Sequence, residues 1–160
     1  MKQFAIKQKM WSLGGRFMIV DEIGAPCYEV EGSLFKLSKS YTLYNNQGQA
    51  VSRLTRLLWH IMPHFKVVLA TGHSFMVKKD FRLWRSHYTI LGLDMEVQGN
   101  VWEMSFQLLK DGQLIAEISQ EWLRLTSTYK VIVYDERYSD LVLSLVIAID
   151  YVKEQKAKAY

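Results

Sequence analysis

Residues 141–152, with the sequence LVLSLVIAIDYV, restrict the fold of this chain more than any other segment. Ten of the twelve are apolar, and at helical spacing the aliphatic side chains cover every side, so such a helix must be buried. At about 1.5 Å per residue it is about 18 Å long, too short to cross a bilayer. We therefore predict a core helix formed by Leu141, Val142, Leu143, Leu145, Val146, Ile147 and Ile149.

The residues around this segment favour a helix over the alternative, a β-branched core strand. Ser139 is the expected N-cap, and Asp140 in the first turn suits the helix dipole. The lysine-rich tail that follows residue 152 is a favourable helix end. Ser144 and Asp150 are the polar exceptions. We expect Asp150 to lie at the mouth of the surrounding sheet or to accept local hydrogen bonds, and a buried functional carboxylate is the alternative.

Alternation of polar and apolar residues with a period of two dominates the chain before residue 135. Residues 17–30 align without gaps on residues 41–54, and each unit reads as strand, Asx/Gly turn, strand. A third hairpin, residues 104–119, turns at Asp111 and Gly112. These patterns predict an antiparallel meander of about ten to twelve strands, a number at which sheets tend to curl or close.

The composition is that of one globular domain, which we assign to residues 1–160. Cys27 is the only cysteine, so an intrachain disulfide and a multi-cysteine zinc site are both excluded. The first residues carry interspersed lysines and no continuous apolar run, unlike a signal peptide. We therefore expect a cytoplasmic protein without a transmembrane segment.

The net charge of +4 is unevenly distributed. Residues 33–93 contain nine basic residues and one acid, Asp80, a net charge of +8, and the rest of the chain carries −4. A basic segment of this kind suits an anionic partner.

Within that segment, residues 77–88 (VKKDFRLWRSHY) combine cations with aromatic rings. If the segment is extended, Lys78, Asp80, Arg82 and Trp84 share one face, which suits phosphate headgroups. The alternative is a solvated strand face whose charge prevents edge-to-edge aggregation. The predicted anion-binding residues are Lys36, Lys39, Lys66, Lys78, Lys79, Arg82, Trp84 and Arg85.

No catalytic constellation is visible in the sequence. His60 and His64 have helical i, i+4 spacing, but Pro63 lies between them and no third ligand is near, so we predict no metal site. Neither Ser74 nor Cys27 lies in a nucleophile motif. We therefore expect a protein that is not an enzyme and that carries no cofactor.

Two segments carry a resemblance to a known family: residues 92–99 (GLDMEVQG), and residues 148–152 (AIDYV) after the aliphatic run. From about Phe4 to Lys153 the chain resembles the LURP-one-related family of the tubby C-terminal-like group, to which the phospholipid scramblases belong. The resemblance implies a closed antiparallel β-barrel of about twelve strands around a buried hydrophobic C-terminal helix. Tubby domains bind phosphatidylinositol bisphosphate through basic side chains, so an anionic lipid is the implied ligand class.

These observations together predict a non-catalytic binding module for an anionic partner, such as phospholipid headgroups, with its basic face in residues 33–93. The protein would be peripheral at the membrane. A protein-interaction scaffold and a nucleic-acid-binding domain that uses the same face are the alternatives, and nucleic acid is the weaker of the two because no recognition motif is present.

Overall fold

The fold is a twelve-stranded antiparallel meander that ends in one helix. The computed structural model describes residues 1–7, 15–33, 40–57, 64–82, 85–123 and 126–157, without the side chains of residues 7, 79–82, 85–89, 122–123, 126–127 and 154–157. The described strands are β1 (Lys2–Lys7), β2 (Arg16–Asp21), β3 (Pro26–Gly32), β4 (Ser40–Asn45), β5 (Ala50–Leu57), β6 (His64–Leu69), β7 (Ser74–Arg82), β8 (Arg85–Leu91), β9 (Glu96–Asn100), β10 (Ser105–Lys110), β11 (Gln113–Leu123) and β12 (Thr126–Val133). A 3-10 turn, Glu136–Tyr138, leads into the helix α1, Ser139–Ala157.

All twelve strands belong to one sheet, in the order β8-β7-β6-β5-β4-β3-β2-β1-β12-β11-β10-β9. The first and last strands are neighbours, paired in register from Lys2 opposite Val133 to Lys7 opposite Thr128. Within the described residues no ladder joins β8 to β9. The prediction of a mainly antiparallel β fold with a C-terminal helix is therefore confirmed, while the hydrogen-bonded closure of the barrel stays a prediction.

Three of the hairpins share one turn geometry. In the first, the Asp21 carboxylate accepts hydrogen bonds from the amides of Ile23 and Ala25. In the second, the Asn45 side chain accepts equivalent bonds two and four residues later. The third turn has Leu69 at the same position, where a backbone bond from Gly72 to the Leu69 carbonyl closes the turn. The three turns end in glycines with positive φ, Gly24, Gly48 and Gly72.

The predicted repeat is thus present and has a third copy, because the three turns follow each other at a spacing of 24 residues. The third copy lacks the Asx residue that marks the other two. Its turn is closed by backbone groups alone, so no side-chain pattern in the sequence reveals it.

The helix α1 is buried along most of its length, as the apolar segment predicts. Its core residues Val142, Leu143, Leu145, Val146, Ile147 and Ile149 are at most 1% exposed, and Leu141 is half-buried. The helix packs against β5, β6, β7 and β12, which belong to widely separated parts of the meander. Side chains on all sides of the helix therefore contact protein rather than water.

The start of the helix differs from the prediction. Ser139 has helical backbone angles, φ −55° and ψ −47°, and is the first residue of α1 rather than its N-cap. Asp135 caps the preceding 3-10 turn instead, because its side chain accepts a hydrogen bond from the Arg137 amide. The helix also continues five residues beyond Val152, to Ala157.

Candidate anion-binding face

Three cationic side chains project from neighbouring strands on the outer face of the sheet. Arg53 of β5 precedes buried Leu54, Lys66 of β6 lies between buried Phe65 and Val67, and Lys78 of β7 follows buried Val77. Because successive side chains of a strand point to opposite faces, the three cations point away from the core. Arg53 and Lys66 are exposed, and Lys78 is half-buried. We call Arg53, Lys66 and Lys78 the basic face.

The strand register sets the spacing of these charges. Lys66 lies opposite Thr55, two residues from Arg53, and on its other side opposite Met76, two residues from Lys78. Such diagonal positions are about 7–8 Å apart. The three cations therefore form an oblique row across adjacent strands, close enough for one anionic surface to contact all of them.

The described cations that do form ion pairs lie elsewhere on the molecule. Lys2 contacts Glu136 at 3.2 Å, Arg16 contacts Glu29 at 2.9 Å, and Lys130 contacts Glu121 at 3.7 Å. Arg137 pairs with Asp135, and Lys110 pairs with Asp94.

The basic face is different because Arg53, Lys66 and Lys78 form no ion pair with the residues that the structure describes. The sequences of β4, β5, β6 and β8 contain no acid, and β7 contains only Asp80. Asp80 shares the face of Lys78 by strand alternation, and its side chain lies outside the described set, so the other four strands add no negative charge to this face.

Apolar side chains are interleaved with these cations. Val68, opposite Arg53, is 40% exposed, and Leu91 at the end of β8 is 44% exposed. Half-buried Met76 lies between Lys66 and Leu91 across the strands. A surface that mixes unpaired cations with exposed aliphatic groups suits the boundary between lipid headgroups and acyl chains.

The predicted residues coincide with this face only in part. Lys66 and Lys78 belong to it, and the backbones of Lys79, Arg82 and Arg85 lie in β7 and β8, with side chains outside the described set. Residues Lys36, Lys39 and Trp84 fall outside the described ranges. Arg53 was missed as a site residue, although its position next to an inward leucine in VSRLTRL indicates an outward side chain.

Asp150 takes part in a different polar group, at the end of the sheet where α1 finishes. It is 5% exposed and accepts a hydrogen bond from the hydroxyl of Tyr129, 21 residues away on β12, so the contact joins the helix to the sheet. The Lys153 ammonium lies 5.7 Å from the centre of the Tyr129 ring and 5.9 Å from that of Trp102. Burial lowers the pKa of Lys153, while the nearby Asp150 carboxylate opposes that shift. The group holds the last turns of the helix in place.

Cys27 and the histidine side chains that the structure describes show no arrangement typical of a reactive or metal site. Burial, with a smaller effect from Asp21, raises the pKa of the half-buried Cys27 thiol, which disfavours the nucleophilic thiolate. His64 is the first residue of β6, and His60 lies outside the described residues. No group of three or more His, Cys, Asp or Glu side chains in the described part of the chain is arranged to hold a metal ion.

Comparisons with known proteins identify the family. The family model described as LURP-one-related matches residues 2–150, and the chain therefore belongs to the LURP-one-related family. It is 27% identical over 150 residues to the uncharacterized protein YxjI of Bacillus subtilis, covering 93% of this chain and 91% of that protein.

A solved structure supports the fold. The chain is similar to the X-ray structure of the Arabidopsis thaliana protein AT5G01750, with a TM-score of 0.58 and 18% identity over 94% of this chain and 90% of that one. Among the described residues, no helix has the length and apolarity that a membrane crossing requires.

Proposed function

We propose that this protein is a non-catalytic binding module for an anionic partner, and that the partner is a phospholipid surface contacted by the basic face. The observation that carries the proposal is the row of Arg53, Lys66 and Lys78, which have no ion-pair partner among the described residues and lie beside exposed Val68 and Leu91. The predicted peripheral location of a cytoplasmic protein at the membrane is part of this proposal.

The expected strength of binding follows from the charges. Each Lys or Arg near an anionic leaflet contributes about 1 kcal/mol, so the three described cations supply about 3 kcal/mol. The exposed aliphatic side chains add contact with the acyl boundary, and Lys36, Lys39, Lys79, Arg82, Trp84 and Arg85 are proposed to extend the surface. Binding of this kind is reversible and sensitive to salt.

Vesicle flotation tests the proposal. The protein should float with vesicles that contain phosphatidylserine and remain at the bottom with vesicles of phosphatidylcholine alone. The double variant Lys66→Glu, Lys78→Glu should lose flotation. A matched control, Lys130→Glu with Arg137→Glu, makes the same change in net charge at cations outside the basic face and should float as the wild type does.

Two results would contradict the proposal. Equal flotation with neutral and acidic vesicles would exclude an electrostatic role for these side chains. Equal loss in both double variants would mean that net charge alone governs binding and that the basic face has no special part. Titration with single-stranded DNA distinguishes the nucleic-acid alternative, because a salt-sensitive change in anisotropy that disappears in Lys66→Glu, Lys78→Glu would assign the face to that ligand.

A further inference from the structure

The strands β8 and β9 follow each other in the chain but are not hydrogen-bonded to each other. Every other consecutive pair of described strands in the meander forms an antiparallel ladder. Among the described residues β8 pairs only with β7, and β9 pairs only with β10. Each strand therefore has one edge whose backbone N–H and C=O groups pair with no other strand that the structure describes, and we call these two edges with residues 92–95 the seam.

Apolar side chains at the seam are incompletely covered. Four of them pack against the margin of the core and are half-buried, and the fifth, on β8, is 44% exposed. The four are Ile90, Leu93, Met95 and Val97, and the fifth is Leu91. An added strand would cover part of this apolar surface and pair the free backbone groups at the same time.

The side chains of β9 specify what such a strand should carry. Val97 is half-buried against the core, whereas its neighbours Glu96 and Gln98 are exposed. An added strand would therefore present residues alternately to Val97 and to Glu96. The exposed acids Asp94 and Glu103 flank the strand, but Lys110 is paired with Asp94 and the Lys153 ammonium lies near Glu103. Glu96 is the acid on β9 itself, so it favours a basic side chain at the outward position of a partner that faces it.

The sequence of β9 leaves the edge open to pairing. Native edge strands are often protected by lysine or proline, and EVQGN contains neither. Its five residues span about 17 Å, enough to pair with a short peptide segment. We propose that the β9 edge of the seam binds an extended peptide of a partner protein, in which apolar residues alternate with lysine or arginine. This activity does not require Arg53, Lys66 or Lys78, which lie on β5, β6 and β7.

The first test uses a fluorescent synthetic peptide in which valine and lysine alternate. Its anisotropy should rise when the protein is added. Two control peptides have the same composition: one has its valines and lysines in separate blocks, and the other is N-methylated on alternate backbone amides. Both should bind about tenfold more weakly, because the first cannot match the alternation and the second cannot donate the ladder hydrogen bonds.

Variants locate the binding. Glu96→Lys should lower the affinity for the alternating peptide about tenfold, because it places a like charge opposite the peptide's lysines. Glu31→Lys makes the same charge change on β3, where Glu31 is paired with both β2 and β4, and should leave the affinity unchanged within about twofold. The backbone amides of residues 96–100 should exchange hydrogen more slowly when the peptide is bound. The amides of β4 and β5 should exchange at the same rate with and without the peptide.

Equal binding of the alternating and block peptides would overturn the proposal, as would protection outside the seam. It would also fail if the free protein formed a dimer with residues 96–100 already protected, because a second copy would then occupy the edge. Peptide binding requires no lipid, so failure of this test leaves the vesicle experiment unaffected, and the reverse also holds.

Discussion

The Oγ atoms of Ser52 and Ser144 lie 2.6 Å apart, in a contact that joins β5 to the core helix. Both side chains are buried, at 4% and 0% exposure. The Ser144 hydroxyl also donates to the carbonyl of Asp140 within the helix, so Ser52 is the donor in the contact between the two serines. The buried Ser144 hydroxyl is thus hydrogen-bonded both to the sheet, through Ser52, and within the helix, to the carbonyl of Asp140.

We expect Ser144→Ala to lower the free energy of unfolding by about 1–3 kcal/mol, because it leaves the buried Ser52 hydroxyl without an acceptor. The double variant Ser52→Ala, Ser144→Ala should cost less than the sum of the two single variants, since it removes both polar groups. Urea unfolding of the four proteins gives the coupling energy. Strict additivity would show that the two hydroxyls do not interact.

Truncation of the helix core should be costly. Leu145→Ala should lower the free energy of unfolding by about 2–5 kcal/mol, because Leu145 is completely buried and its removal creates a cavity. Leu141→Ala is the matched control on the same helix, and it should cost clearly less because Leu141 is only half-buried. Denaturant unfolding measures both. Equal losses would contradict a helix surrounded by the sheet.

The contact between Tyr129 and Asp150 should also contribute to stability. Tyr129→Phe removes the donor from a carboxylate that is 5% exposed, and we expect a loss of about 1–3 kcal/mol. Tyr134→Phe removes an equivalent hydrogen bond to Glu117 at the surface, where Tyr134 is 38% exposed, and should have a smaller effect. Thermal unfolding of the two variants at neutral pH compares them directly.

Alkaline pH should destabilise the protein through buried tyrosines. Burial, with the adjacent Asp140 carboxylate, raises the pKa of Tyr28, and burial with the neighbouring Tyr151 raises that of Tyr41. A tyrosine whose pKa is higher in the folded than in the unfolded state stabilises the fold. The stabilisation is fully present at pH values below about 10, the pKa of tyrosine in the unfolded chain. This contribution is lost as the pH rises toward the folded pKa.

We therefore expect the free energy of unfolding to fall as the pH rises above about 10, with tyrosinate absorbance that appears together with unfolding. The double variant Tyr28→Phe, Tyr41→Phe should show a weaker dependence on pH over this range. Urea titrations at several alkaline pH values test this. An unchanged slope in the variant would assign the alkaline effect to other groups.

Arg53 provides a separate test of the basic face, because it was not among the residues predicted from the sequence. Arg53→Ala should weaken binding to phosphatidylserine vesicles about fivefold, the equivalent of about 1 kcal/mol. Arg137→Ala also removes an exposed arginine, but one that is paired with Asp135, and should change the affinity less. Tryptophan fluorescence during a vesicle titration measures both affinities, and equal effects would remove Arg53 from the proposed surface.

Much of the fold could be predicted from local chemistry. The aliphatic run of residues 141–152 specified a buried helix, and the Asx and glycine residues at 21, 24, 45 and 48 specified two hairpins. The third copy of the turn was missed because Leu69 carries no turn signal, and the Ser139 cap was wrong because a 3-10 turn precedes the helix. The turn at Leu69 is closed by backbone groups, whereas the 3-10 turn is capped by Asp135, a residue that the sequence does display.

The candidate site was less predictable, because it depends on strand register. The sequence indicated a basic segment. It could not distinguish the cations that face an acid on the adjacent strand from the cations that do not. Arg16 lies across from Glu31 in the sheet, whereas Arg53 lies opposite Val68. Likewise, no pattern in residues 85–100 indicates that β8 and β9 form no ladder among the described residues.

The position of α1 after all the described strands has a consequence for synthesis on the ribosome. The inner faces of the hairpins pack on a helix that starts only at Ser139. In addition, β1 pairs with β12, which is synthesised more than a hundred residues later. Nascent hairpins must therefore remain without their core until the residues of α1 have been synthesised. A stalled or truncated product would expose the apolar inner surface of a whole sheet, which makes it a strong substrate for chaperones and proteases.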